Sequence, residues 1–395
     1  MANTTFTSKL EGDQFVADGV TPEADFIPDS ANLFPKWPHK LSPTALETWL
    51  FDALSGGGGD AFTVSFFRNG AEAPNSFRAA VNASWADGTV WSQHLVVPVS
   101  VVTLEGADIS SGRVAGAWRT EEGADGPRVA ATFDVAADLS TATVTFDAPG
   151  RVTGTVTLRS KGYPALPKTA REIETGPGAY WMRVIAFADA TADLTFHLED
   201  PARPGETTAK RLVLGAEQRA FGGVDRSWTR TVWTDDTTDT LYVRARAGPY
   251  VITLLRMVGT SQRNYEATST GALYRDGQLL SQALLALPPD RSDNAAVADS
   301  VRTEKLYDGD GIPATFRSKN VGYRLDFRRV GAGERGRWTF DLRHRRAWWK
   351  KPTSRPGPDA TGNSAFIVEV TGGEEGSAES FTGWGMTAEI ELPDR

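Results

Sequence analysis

The residue types available for chemistry in this chain are few, and they point away from covalent catalysis. There is no cysteine, and only four histidines (His39, His94, His197 and His344) occur in 395 residues. Cysteine nucleophiles, thiolate metal sites and disulfides are thereby excluded, and no HExxH or comparable spacing offers a histidine metal site. No GxSxG elbow accompanies the many serines. Neither a P-loop nor a GxGxxG between strand and helix is present. No spacing singles out a pair of carboxylates of the glycosidase kind. What remains is placed hydrogen-bond donors, cations and aromatic surface.

Two stretches gather such groups. Phe77–Val97, FRAAVNASWADGTVWSQHLVV, reads as two strands folded back at Asp87-Gly88, a two-residue turn whose central positions both need φ > 0. That register sets Trp85 opposite Val90, Ser84 opposite Trp91 and Asn82 opposite Gln93. Side chains alternate along a strand. One face then carries Phe77, Val81, Trp85, Val90 and Val96, and the other Asn82, Ser84, Trp91, Gln93 and Leu95. Two amides, a hydroxyl and an indole without a charge suit the wall of a mostly apolar cavity. The plainer reading is a half-exposed sheet face.

The second stretch is Arg343–Gly362, RHRRAWWKKPTSRPGPDATG. A basic run is ordinarily a solvated face. Prolines following two tryptophans and two lysines would equally place one cation, Lys350 or Lys351, in an apolar site. Twelve tryptophans is a high count. Trp49, Trp85 and Trp118 read as core, whereas Trp91, Trp228 and Trp233 stand in polar or glycine-flanked contexts that suit a ligand wall.

The elements that must position these residues read as strands. Residues 1–44 are Pro-rich and polar, an extended arm. Short β-type runs follow at Leu46–Leu54, Phe62–Arg68, the hairpin, Val129–Val135, Ala142–Phe146 and Arg151–Leu158, spaced as in a sandwich or barrel. After a polar loop at Asp200–Thr207 the rhythm resumes from Thr240 to Leu392, with a second Asp-Gly hairpin turn at Asp276-Gly277. Only Ser42–Trp49 and Asp293–Val301 invite a short helix. The expected fold is all-β in two domains: an N-terminal β-sandwich of lipocalin-like type over 1–225, and a C-terminal up-and-down lipocalin-like barrel over 226–395. A net charge of −8 argues against a nucleic-acid partner. No apolar stretch reaches 18 residues, so membrane insertion is not expected and a cytoplasmic, soluble protein is.

Eight blocks in order resemble the fungal decalin-forming Diels–Alderases. They are DFIPDSANLFPKWP (Asp25–Pro38), ETWLFD (Glu47–Asp52), FRAAVNASWADGTVW (Phe77–Trp91), GPGAYW (Gly176–Trp181), RSW (Arg226–Trp228), AGPYVITLLR (Ala247–Arg256), NVGYRLDF (Asn320–Phe327) and KPTSRPGPDATG (Lys351–Gly362). The resemblance implies a carotenoid-hydratase-like and lipocalin-like fold with the ligand pocket between the two domains. It implies a cofactor-independent intramolecular [4+2] cycloaddition on a linear polyenoyl tetramic acid, released by a polyketide synthase–peptide synthetase. It also implies polar contacts to the tetramate from Asn82 and Lys351, and pocket walls at Trp228 and Tyr180. Trp91, Gln93 and Met257 join them as candidate substrate contacts. Where the family's WxFD strand carries an acidic residue, this chain has Leu50, which leaves Asp52 as the candidate carboxylate. Two other functions share these features: a non-catalytic carrier of a hydrophobic ligand, and a hydratase-like enzyme, which needs a carboxylic acid in its pocket.

Overall fold

Alternating apolar and polar residues over short runs become strand almost everywhere. The computed structural model describes residues 3–10, 26–38, 41–72, 75–106, 112–121, 123, 128–163, 166–200, 202–203, 205–287, 298–332 and 336–394. Among them, no helix is long and apolar enough to cross a membrane. The chain divides into two compact units: Met1–Ser55, Gly59–Lys168 and Met182–Val232 form one, and Gly56–Gly58, Thr169–Trp181 and Trp233–Arg395 the other.

The first unit is built from β1 (Asn3–Lys9), β2 (Leu46–Leu54), β3 (Ala61–Asn69), β4 (Phe77–Ser84), β5 (Val90–Val96), β6 (Val99–Glu105), β7 (Val114–Arg119), β8 (Ala130–Val135), β9 (Thr141–Ala148) and β10 (Val152–Ser160). β12 (Ala179–Glu199) from Met182 onward, β13 (Thr207–Leu214) and β14 (Phe221–Thr229) complete the set, while the first residues of β12 and the short β11 (Glu174–Gly176) that pairs with them belong to the second unit. Strands run in the order β1-β6-β7-β8-β9-β10-β12-β14-β2-β3-β4-β5. The two ends of this long sheet face each other as a sandwich. Trp49 on β2 meets Trp118 on β7 edge-on at 5.5 Å, and Phe51 lies 5.3 Å from Phe133 on β8. Of the arm expected over residues 1–44, Asn3–Lys9 is instead a strand paired with β6, whereas Leu33, Phe34 and Trp37 do lie buried on the unit, and Leu33 O accepts the Trp49 indole N–H at 2.9 Å. Ser42–Trp49 does not form a helix, because Leu46 onward pairs with both β3 and β14.

The second unit contains a helical turn, α1 (Trp233–Asp236), whose Trp233 and Thr234 side chains lie outside the described residues. Nine strands follow: β15 (Asp239–Ala247), β16 (Tyr250–Val258), β17 (Ala267–Arg275), β18 (Gln278–Leu287), β19 (Ser300–Leu306), β20 (Gly322–Arg328), β21 (Arg337–Pro352), β22 (Gly362–Glu374) and β23 (Phe381–Glu391). They close in chain order, β23 pairing with β15. Up-and-down closure of an odd number of strands needs one parallel pair, and β18–β19 supplies it. Val301, in the second stretch that invited a helix, is in β19; residues 293–297 lie outside the described residues. Asp276 (φ 48°) and Gly277 (φ 85°) make the two-residue turn that the sequence predicts. Leu241, Val243, Ile252, Leu325, Phe340 and Phe366 are among the residues that fill the lumen.

One end of that lumen is polar. Lys305 donates to Asp239 (2.6 Å), Ser318 (2.7 Å) and Glu391 (3.3 Å). Glu389, 1% exposed, accepts from the Tyr323 hydroxyl and from Ser364 Oγ at 3.1 Å. Burial pushes the Glu389 carboxyl up to about 7, against the opposing pull of Tyr323 and Lys305. The folded chain thus holds a proton that the unfolded chain loses near 4.5. Stability from this group is present below that pH and is lost as pH rises through about 7. Glu389→Gln is expected to flatten the stability–pH curve between those values by about 3 kcal/mol. Urea unfolding of both proteins from pH 5 to 8 checks this, and parallel curves would refute it.

Candidate functional site

In the first unit, β2, β3 and β4 are buried on both faces, so alternation separates two environments instead of core from solvent. One face carries Trp49, Phe51, Val64, Phe66 and Val81 into the sandwich. The other is polar. Its cross-strand pairs run Gly223–Asp52–Thr63–Asn82–Ser92 from β14 to β5. Asp52, Thr63 and Asn82 are each no more than 5% exposed, while Ser92 is open to solvent. Ser92 Oγ donates to Asn82 Oδ1 at 2.7 Å, and Asn82 Nδ2 donates to Thr63 Oγ1 at 3.2 Å. One row over, the same face carries Leu50 and Asp225. Asp225 Oδ2 lies 3.3 Å from Arg183 Nη1.

The structure thus brings Asp52 and Asn82 together and separates Trp91 and Gln93 from them. Trp85 N–H bonds Thr89 O and Gly88 N–H bonds Trp85 O, closing a three-residue loop with Gly88 alone at φ 86°. The Asp87 carboxylate takes the Thr89 N–H at 2.9 Å and favours this form. Asn82 therefore faces Ser92, Ala83 faces Trp91 and Val81 faces Gln93. The shift of one residue turns every β5 side chain over. Trp91 is buried with Trp85 against Phe196 and donates to His197 O at 3.0 Å. Val90 and Val96, expected on one face with Phe77, Val81 and Trp85, are turned away from them and exposed.

Trp228 also belongs to the sandwich face. It stands opposite Glu47 on β2, and the Lys36 ammonium sits 4.3 Å from its ring centroid. Around it Glu47, Arg68, Arg226 and Lys36 are all buried. Trp228 is thus packed among buried charges, on the opposite side of the sheet from the Asp52–Asn82 row.

In the second unit the outer face of β21-β22-β23-β15-β16-β17 forms a continuous wall. One row runs Lys351–Asn363–Ile390–Thr240–Met257–Thr268, all on the same side by direct pairing. Four strand steps separate Lys351 from Met257, about 19 Å along the wall. The next row runs Trp349–Ala365–Ala388–Tyr242–Leu255–Thr270. Two alanines between Trp349 and Tyr242 leave an apolar lane beside the first row. Trp349 donates its indole N–H to Asn363 Oδ1 at 2.9 Å. Met257 and Leu255 are 2% exposed, and Lys351 is half-buried. Lys350 is exposed and pairs with Ser364, on the lumen side of the strand. Tyr180 pairs with Glu174, and its neighbour Trp181 lies 5.8 Å from the Tyr242 ring.

Sequence reasoning missed Thr63, Ser92, Asp225, Arg183 and Asn363. Thr63 and Ser65 do alternate with Phe62, Val64 and Phe66, which is the available signal that β3 has a polar face. A surface depression of about 270 Å³ lies elsewhere, over Thr103, Ala117, Thr132 and Thr143, away from every candidate residue.

A family model described as Diels-Alderase-like matches residues 2–393. The chain is 64% identical over 396 residues to the Diels-Alderase cghA of Chaetomium globosum, covering 100% of this chain and 78% of that protein. The crystal structure of CghA with Sch210972 superposes with a TM-score of 0.92 at 61% identity, covering 99% of both chains. The crystal structure of kievitone hydratase from Nectria haematococca shares the fold alone, with a TM-score of 0.50 at 11% identity over 95% of this chain and 96% of that one.

Proposed function

This chain belongs to the Diels-Alderase-like family, and we propose that it catalyses a stereoselective intramolecular [4+2] cycloaddition, closing a decalin on a linear polyenoyl tetramic acid. The observation that carries this reading is the full-length likeness to CghA, in sequence and in fold, in a protein crystallised with the small molecule Sch210972. We take the substrate to be the released product of a polyketide synthase–peptide synthetase.

A pericyclic step makes and breaks its bonds together, without a nucleophile or a proton transfer. The protein's task is to fold the polyene. Holding diene over dienophile removes the entropic part of the barrier, up to roughly 7–11 kcal/mol in favourable intramolecular cases. Asn82 and Lys351 serve as donors to the tetramate oxygens in this reading. They draw electron density from the conjugated dienophile, the more strongly where water is excluded. Asp52 shares the Asn82 row, and Met257 and Tyr180 contribute apolar contact.

Incubating the linear polyenoyl tetramate with the protein tests the reading. Faster decalin formation than in buffer, as one dominant diastereomer, is the expected result. Binding without acceleration would make the protein a carrier, and a hydrated product would make it a hydratase.

Met257 is expected to govern which diastereomer forms. Competing endo and exo transition states use the same bonds, and each 1.4 kcal/mol between them is a factor of about ten in product ratio. An unbranched thioether moulds to a folded polyene. Met257→Val is expected to slow turnover and release a measurable share of the other decalin. Chromatographic resolution of the products decides it: an unchanged isomer ratio would make Met257 a packing residue only.

A further inference from the structure

We infer that Thr63 and Ser92 are positioning residues that hold the plane of the Asn82 amide between them, its oxygen capped and its second N–H left for the substrate. This rests on the reading that Asn82 donates to the substrate. A primary amide on a strand swings about its side-chain torsions unless both of its ends are held, and here each end meets a hydroxyl that can donate or accept. The 2.7 Å contact from Ser92 Oγ to Asn82 Oδ1 has the length of an O–H···O bond, and the 3.2 Å contact from Nδ2 to Thr63 Oγ1 that of an N–H···O bond. The carbonyl oxygen is thus spoken for, and one of the two amide hydrogens is used. The other has no partner among the described residues.

The placement of the two hydroxyls fits this task. Directly opposed residues on neighbouring antiparallel strands are the pairs whose side chains touch, and Thr63, Asn82 and Ser92 are direct opposites on three consecutive strands. Thr63 is 5% exposed and its β-branched side chain has restricted rotamers. Ser92 stands on β5, which ends the strand order, with its side open to solvent. Its hydroxyl makes no contribution to a packed core. Among the described residues its side-chain hydrogen bond is to Asn82.

The test is a double-mutant cycle on cyclisation of the linear polyenoyl tetramate, with kcat and KM measured for wild type, Asn82→Ala, Ser92→Ala and the double variant. Ser92→Ala is expected to lower kcat/KM about two- to ten-fold, the range of one hydrogen bond's net contribution. The double variant is expected to be no slower than Asn82→Ala alone, because the serine acts through the amide. Ser92→Thr, which keeps the hydroxyl, is expected to restore the rate, and the thermal midpoint of Ser92→Ala to match wild type. Thr63→Val should show the same lack of additivity with Asn82→Ala; if it does not fold, the Ser92 cycle decides alone. A slow Asn82→Ala with Ser92→Ala at the wild-type rate would overturn the positioning role and leave Asn82 as a contact. Independent, multiplying losses would overturn it too. An Asn82→Ala protein at the wild-type rate would instead remove Asn82 from the site, and the inference with it.

Discussion

Lys351→Met is expected to slow decalin formation by roughly ten- to a thousand-fold, the equivalent of about 1.4–4 kcal/mol of transition-state stabilisation. The substitution keeps most of the apolar stem and removes the charge. Lys351 is half-buried on β21, directly opposite Asn363, in the row that ends at Met257 and Thr268. A cation is worth more there than in bulk water, because fewer waters compete for the oxygen it faces. Lys350 is the natural control. It is exposed and alternation turns it to the other side of the strand, so Lys350→Met is expected to retain wild-type turnover. Steady-state kinetics on both variants check this. A well-folded Lys351→Met protein with unchanged kcat would show that shape alone carries the reaction.

Glu47→Ala is expected to be the most damaging change to stability. Glu47 is 0% exposed, between Arg68 and Arg226, which are 1% and 0% exposed. Its Oε1 accepts from Arg226 Nη2 at 2.6 Å and from the Lys36 backbone N–H at 2.5 Å, while Oε2 accepts from Arg68. Burial draws Arg226 down to about 10, and Glu47 pulls it back up. Removing the carboxylate strands two buried guanidiniums, a loss of roughly 3–5 kcal/mol. At about 2–4 °C per kcal/mol for a unit of this size, the first unit should melt on the order of ten degrees lower. Differential scanning calorimetry checks it; an unchanged midpoint would mean that solvent or rearranged partners replace Glu47.

The all-β architecture was legible because strand alternation and turn chemistry are local. LETWLFDAL reads as a strand over Leu46–Leu54 and forms one with those bounds. Asp276-Gly277 formed the turn that its residue types favour. Asp87-Gly88 did not, because an Asp-Gly pair also suits a three-residue loop with a single αL glycine, and the choice turns on an Asp87–Thr89 contact that residue types do not specify. That one residue moved Trp91 and Gln93 to the opposite face from Asn82. The polar row was hidden for a different reason. Asp52, Thr63 and Asn82 alternate with apolar neighbours just as a solvated face would, and only burial of both faces distinguishes the two. The surroundings of Trp228 were hidden as well, because they depend on Glu47, 181 residues earlier in the chain, and on Lys36 in the arm.

The most direct measurement compares two substrates with the same polyene, one ending in the tetramic acid and one in a methyl ester, each with protein and in buffer. If donors on the tetramate and a folded polyene act together, the tetramate should cyclise far faster with protein than without. The ester, which offers no tetramate oxygens to Asn82 or Lys351, should stay within about threefold of its buffer rate, since most of the binding energy that orders the polyene is then lost. Equal acceleration of the two substrates would contradict the account, leaving the enclosing shape as the whole of the catalysis.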